Sequence, residues 1–497
     1  MCIIKGFVRI ICLLALALCF IISISLAETD VRPIKRRALI IACDKFINYP
    51  FTAGACKSNA EEIYKLFMYG GLNINTVVRE YDNIASESEF SEAIWDAFGD
   101  SEEGDINYLY ISTHGIKNSK LYDDSAIILS NGTTEGEISS KALAGSFDGV
   151  LGTNVIIVDA CYSGALINRG VSGGGKTNFF DSDNLKVFTS SGGAEQSWYW
   201  TENENSKVSL EGSGFFSASF CQALSYSDCY PADLNRDQSI THNELYKYLY
   251  EHNASSVVWA YPHEDNTVLF TYDKCGKQSS IMSNLRFNNN FIDSTNNSID
   301  FSFEVNSPLQ PVYQIVYFKD GVWNYSGAEY FYDPLSEGEN LKPGKYTRKI
   351  ALKINTDFST GYALVNVMAK QDNKLRFIGS GFVAILQDNG LENVNVKTAK
   401  IFSPSANQEL LILVKHNIPC FISLDVLDMN NNLVYNVVDS ELSRPENLNP
   451  NGSSFVWSGI CKDGSRAQGG EYYIKATLCL LDQSIELFSK SFNIIDR

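Results

Sequence analysis

Asn154-Val-Ile-Ile-Val-Asp159-Ala160-Cys161-Tyr162-Ser163-Gly164 carries the strongest structural signal in the chain. Asn154 to Asp159 is a continuous apolar run, read as a strand buried on both faces, and it ends just before Cys161. To either side, Arg37–Ala42 and Leu185–Ser190 read as strands of the same kind, and Ile106–Thr113 reads as a strand that ends at His114-Gly115. Between them, Ser58–Tyr69 places Ile63, Leu66 and Phe67 at helical spacing, with Ser58 and Glu61 forming a capping box. Glu87–Phe98 reads as a second helix. Strands alternating with helices imply an α/β domain whose mostly parallel sheet is covered on both faces. Ligands in such folds bind beyond the carboxyl ends of the strands, where His114 and Cys161 both lie.

A histidine and a cysteine at neighbouring strand ends suit nucleophilic catalysis: a thiolate attacks a carbonyl and an imidazole handles the protons. If Cys161 leads into a helix, the helix N-terminus lowers its pKa. The backbone amides of Gly115 and Cys161 are the candidate oxyanion donors. Asp159 stands two residues before the thiol and, on extended backbone, points to the same side.

These motifs resemble those of the caspase-like cysteine peptidases, a group that includes metacaspases, legumain, clostripain and gingipain. The likeness runs from Arg36 to Asp273 and rests on Ala38–Ala42, Asn59-Ala60-Glu61, Thr113-His114-Gly115, Asp159-Ala160-Cys161-Tyr162-Ser163-Gly164, Thr189-Ser190-Ser191 and Gly214-Phe215-Phe216-Ser217. The 47 residues from His114 to Cys161 are close to the roughly 50 of caspase-type enzymes. The resemblance implies an α/β/α sandwich and a His114–Cys161 dyad with no obligatory third acid. It also implies that Asp159, with Asp44 as a second acid, binds a basic P1 side chain, giving cleavage after Arg or Lys. Asparagine specificity, as in legumain, and transpeptidation are the alternatives within the group. The rival from another class is a catalytically silent caspase-like scaffold used for binding or adhesion.

A second motif, Asp233-Leu-Asn-Arg-Asp-Gln-Ser-Ile-Thr-His-Asn-Glu244, resembles an EF-hand calcium loop. Asp233, Asn235, Asp237, the Ser239 carbonyl and Glu244 fall at its ligand positions, and Asn243–Tyr250 reads as the helix that comes next. Gln238 departs from the motif, replacing the usual glycine. The implied ion is structural Ca2+; catalysis itself needs no cofactor.

The remaining sequence places this unit in a longer exported chain of 497 residues. Residues 1–27 read as a signal peptide, with Lys5 and Arg9 before the apolar Ile10–Ile24 and a small-x-small site at Ser25-Leu26-Ala27. The expected location is therefore secreted or cell-surface, with no membrane span once the signal is removed. Forty Lys and Arg against 58 Asp and Glu give a net charge of −18. A surface this acidic repels phosphate, so nucleic acid is not an expected partner. The expected partners are a protein or peptide substrate and, through the tail, a cell surface or secretion machinery. Nine cysteines lie beyond the signal, an odd number that leaves at least one thiol unpaired; Cys461 and Cys479 are a candidate bridge. The peptidase unit is expected over 35–275, with Gly173–Lys176 as a candidate self-cleavage loop. Two all-β units, over 283–390 and 398–497, are expected after it, both read as Ig-like sandwiches. In the second, Trp457-Ser-Gly459, Asp463-Gly464 and Gly469-Gly-Glu-Tyr472 resemble the Ig-like module of flagellar hook-capping proteins.

Overall fold

The computed structural model describes residues 32–50, 52, 54–117, 125–169, 178–200, 213–253, 256–276, 281–293, 295–319, 322–324, 329–333, 339–352, 361–371, 374–386, 390–404, 408–444, 452–480 and 483–495. The signal segment and the Gly173–Lys176 loop lie outside them.

The apolar runs form β1 (Arg36–Ala42), β2 (Thr76–Tyr81), β3 (Ile106–Ser112), β4 (Thr153–Asp159), β5 (Leu185–Thr189) and β6 (Trp259–Tyr261), joined in the order β6-β5-β4-β3-β1-β2. All neighbours are parallel except β6, which runs antiparallel to β5 at one edge. β1, β3, β4 and β5 begin and end within one residue of the sequence reading, because a strand with both faces buried must stay apolar along its whole length.

The side-chain alternation of these strands sorts the core into two layers. Ile40, Tyr108, Tyr110, Ile157 and Phe188 pack on one face against α1 (Ala55–Tyr69), α4 (Phe215–Ala223) and α5 (His242–His252). Leu39, Ile41, Leu109, Ile111, Ile156 and Val158 pack on the other against α2 (Glu87–Phe98) and α3 (Ser140–Gly145). This is the expected α/β/α arrangement.

One helix start differs from the sequence reading. α1 begins at Ala55, after Gly54 at φ 80°, and Ser58 lies inside its first turn, so the Ser58–Glu61 capping box does not form. The Asp44 carboxylate instead accepts the Cys56 and Lys57 amides at 3.1 and 3.0 Å. α2 keeps its local cap, with Ser86 Oγ accepting the Glu89 amide.

The rest of the chain is β-structure. Strands Met282–Phe287, Ser298–Val305 and Gly344–Ala351 form one sheet, and Gln310–Lys319, Tyr362–Gln371 and Lys374–Ile385 are central to a second. The two sheets enclose a core of Ile299, Phe301, Phe303, Tyr313, Val365 and Val383. A second pair of sheets repeats the plan between Asn395 and Ile494, around Ile412, Leu424, Trp457, Ala476 and Phe492. Val316, Phe318 and Leu364 from the first pair extend that second core, so the two pairs share one apolar contact. Among the described residues no helix is long and apolar enough to cross a membrane.

Candidate active site

In the sheet register Ala42 pairs with Ser112, and Ser112 pairs with Asp159. Three strand ends therefore stand level, and the segments that leave them, Cys43-Asp44, Thr113-His114-Gly115 and Ala160-Cys161, emerge side by side. The Thr113 amide donates to the Asp159 carbonyl at 3.2 Å, tying the second segment to the third. Gly115 is pressed against the main chain of Cys161: a Cβ there would overlap the Cys161 carbonyl oxygen, so only glycine fits beside it. Gly164 is needed for a similar reason, because its Cβ would lie 2.7 Å from the Ser191 carbonyl oxygen.

His114 and Cys161 are neighbours through these segments, but no hydrogen bond joins their side chains. Nε2 of His114 lies 2.8 Å from the Pro50 carbonyl oxygen, and its ring packs on Phe46 with centroids 4.6 Å apart. The Cys161 thiol points to the Ser197 carbonyl oxygen at 3.7 Å. Burial, with a further push from the Asp159 charge, moves that thiol up to about 11. The expected lowering by a helix N-terminus is absent. Tyr162 takes a left-handed turn at φ 61°, and the chain then enters a 3-10 helix of five residues, Ser163–Ile167, too short to offset burial.

Asp159 lies at the bottom of this site, 5% exposed. Oδ1 accepts the Ser197 hydroxyl at 2.8 Å, and Oδ2 accepts Ser217 Oγ at 2.5 Å and Asn59 Nδ2 at 3.3 Å. Burial outweighs these donors and raises its pKa above the usual carboxylate value. Among the described residues Asp159 makes no ion pair. A buried carboxylate held only by neutral donors offers its charge to an incoming cation.

The hydrogen bonds of Asp44 correct its expected role. Its carboxylate is taken up by the Thr52 hydroxyl and the two α1 amides, which makes it a helix cap rather than an open pocket acid. Ser217 falls inside the Gly214–Ser217 motif and Asn59 inside Asn59-Ala60-Glu61, but Ser197 and Pro50 carry no local signal; only the fold brings them to this site.

The 233–244 loop, which resembles a calcium loop in sequence, turns tightly. Arg236 and Gln238 are left-handed at φ 63° and 70°, and Asp233 accepts the Asp237 and Gln238 amides. Ser239–Thr241 pairs with Val268–Thr271, and α5 begins at His242, one residue before the expected start. The carboxylates are nevertheless used within the protein. Asp233 also accepts Tyr272 OH at 2.6 Å, Asp237 accepts Asn235 Nδ2 and the Ser239 amide, and Glu244 closes a capping box on Thr241. Among the described residues no three acidic, histidine or cysteine side chains are grouped to hold a metal ion.

Cys229 and Cys275, 46 residues apart, form a disulfide. Cys461 and Cys479 are both unpaired, contrary to the expected bridge; Cys479 Sγ lies 3.5 Å from Ser484 Oγ instead.

Residues 35–279 match the family model of the caspase domain. This part of the chain is a caspase-like domain. Two solved structures similar to it are a protein of Geobacter sulfurreducens, 14% identical, and caspase-1 of Spodoptera frugiperda, 12% identical. The first match covers 48% of this chain and 92% of the other, with a TM-score of 0.32. The second covers 48% and 91%, with a TM-score of 0.33. No curated protein matches the chain.

Proposed function

We propose that the caspase-like domain is an exported cysteine endopeptidase that cleaves after Arg or Lys, with Cys161 as nucleophile and His114 as proton carrier. The observation that carries this reading is the buried Asp159 carboxylate, unpaired by any cation among the described residues and two residues from the thiol. A P1 guanidinium or ammonium that reaches Asp159 puts its peptide carbonyl near Cys161. The Cys161 proton passes to His114 and the sulfur bonds to the carbonyl carbon, with the oxyanion facing the Gly115 and Cys161 amides. The tetrahedral intermediate then expels the amine, which takes a proton from His114. Water, deprotonated by His114, cleaves the thioester and restores the thiol.

Export is supported by the leader sequence and by the Cys229–Cys275 disulfide. The 395–494 sheets are proposed as an Ig-like module for surface or secretion contacts, on the strength of its turn glycines and buried Trp457. A structural Ca2+ in the 233–244 loop is proposed from the loop's backbone path. The silent-scaffold reading has one observation in its favour, the contacts of His114 and Cys161 with backbone carbonyls instead of each other.

A fluorogenic peptide library scanned at P1 tests the proposal. Cleavage confined to Arg and Lys, and lost in Cys161→Ala, is the expected result. Turnover that survives Cys161→Ala, or no turnover of any peptide, overturns it.

A further inference from the structure

Ser197 touches both halves of the site at once. Its hydroxyl donates to Asp159 Oδ1 at 2.8 Å, and its carbonyl accepts the Cys161 thiol at 3.7 Å. Its flanks are anchored elsewhere. The Glu195 carboxylate accepts the Gly192 and Val257 amides, its carbonyl accepts the Tyr162 amide at 2.7 Å, and the Trp198 carbonyl accepts the Phe215 amide at 3.0 Å. Ser197 is thus a pivot between two fixed points, and its side-chain hydrogen bond goes to the carboxylate that a basic P1 group would seek.

We infer that Ser197 is a positioning residue that couples occupancy of the Asp159 pocket to release of the Cys161 thiol. This rests on the proposed function and adds regulation by the P1 side chain itself. A guanidinium entering the pocket brings charged donors to Asp159, and a charge-assisted hydrogen bond is about twice as strong as the hydroxyl's. The cation displaces the Ser197 hydroxyl from Oδ1. Once that anchor is lost, the peptide after Ser197 turns between its two fixed neighbours, so the carbonyl no longer fixes the sulfur, which is free to turn towards His114. The same cation neutralises the nearby Asp159 charge, one of the two influences that hold the thiol protonated. Without a basic side chain in place, the nucleophile stays protonated and directed at a backbone carbonyl. Selectivity for Arg or Lys then acts on the chemical step as well as on binding.

Agmatine tests this because it carries a guanidinium but no carbonyl to acylate. Iodoacetamide alkylates Cys161, the thiolate displacing iodide to form a thioether, and mass spectrometry of the Cys161 peptide tracks the rate. Saturating agmatine is expected to raise that rate by about tenfold in the wild type and to leave Asp159→Asn unchanged. Ser197→Ala is expected to be fast without agmatine and to gain little from it, with KM for an Arg peptide falling more than kcat changes. The wild-type arm needs no variant to fold. If Cys161 is alkylated in a His114-dependent way but agmatine leaves the rate unchanged or slows it, the coupling is wrong and the peptidase reading stands. If Cys161 is inert with and without agmatine, both fall.

Discussion

Arg169 and Glu409 form an ion pair in which both side chains are almost completely buried. Arg169 lies just past the short helix after Cys161, and its carbonyl accepts the Gly193 amide. Glu409 belongs to the segment entering Leu410–Lys415 of the last sheet pair and also accepts the His263 amide at 2.6 Å. The β-module therefore reaches the segment that follows Cys161. Removing one partner of such a pair leaves the other charge buried and uncompensated, at a cost of about 3–5 kcal/mol. Glu409→Gln is expected to lower the melting temperature sharply, and Arg169→Met with Glu409→Leu to recover much of the loss. Calorimetry that finds Glu409→Gln as stable as wild type removes the pair from the interface.

Asp159 predicts a conflict between stability and function. Its folded pKa is raised, so the folded state favours the neutral acid and the ionised acid strains it. Stability from this group is present at low pH and is lost as pH rises through that raised pKa. Asp159→Asn is therefore expected to melt higher than wild type at pH 7, with the gap closing towards pH 4. The same variant should lose at least about 30-fold in kcat/KM for Arg peptides. A variant that is less stable at pH 7, or that still cleaves after Arg, contradicts the assignment.

The resting thiol has its own pH signature. With burial placing it at about 11, alkylation of Cys161 without a P1 ligand should keep rising well past pH 9 before it levels. An ordinary cysteine is half-ionised near pH 8.5, so its rate would level by about pH 9.5. Rates measured from pH 6 to 11 that level by about pH 9.5 would show a thiol not held in the way described.

The sheet and the two site segments were legible because parallel strands buried on both faces leave continuous apolar runs, and because His114 and Cys161 come directly after those runs. Contacts made across the fold left no such trace. The cap of α1 comes from Asp44, eleven residues before Ala55, so a rule that looks for a neighbouring Ser placed the start three residues late. Ser197 is one serine in a glycine-rich loop until the fold sets it over Asp159, 38 residues away. Cys229 and Cys275 could not be chosen from nine cysteines, since pairing depends on which Cα atoms approach; these two lie 4.7 Å apart.

That disulfide closes a loop around the 233–244 segment and α5. Chain-entropy reasoning for a 46-residue separation gives about 4 kcal/mol. Cys229→Ser with Cys275→Ser is expected to lower stability by most of that amount, and a reductant to affect the wild type alone. Equal denaturant midpoints for the two proteins would show that the bridge does not constrain the chain.

The 233–244 loop yields a prediction from Gln238, which stands where an EF-hand motif has glycine. Gln238 at φ 70° strains the turn, so Gln238→Gly should stabilise the domain by about 1 kcal/mol, with or without metal. Glu244 closes the capping box at α5, and Glu244→Ala should cost about 1 kcal/mol in EDTA for that reason alone. If the loop takes Ca2+ as proposed, mass action at a hundred times Kd adds about 2.7 kcal/mol to the wild type. Glu244→Ala would forfeit that gain on top of the cap, so its deficit should widen when EDTA is replaced by millimolar calcium. A deficit of the same size in both buffers assigns Glu244 to the helix cap alone and removes calcium from the description of this domain.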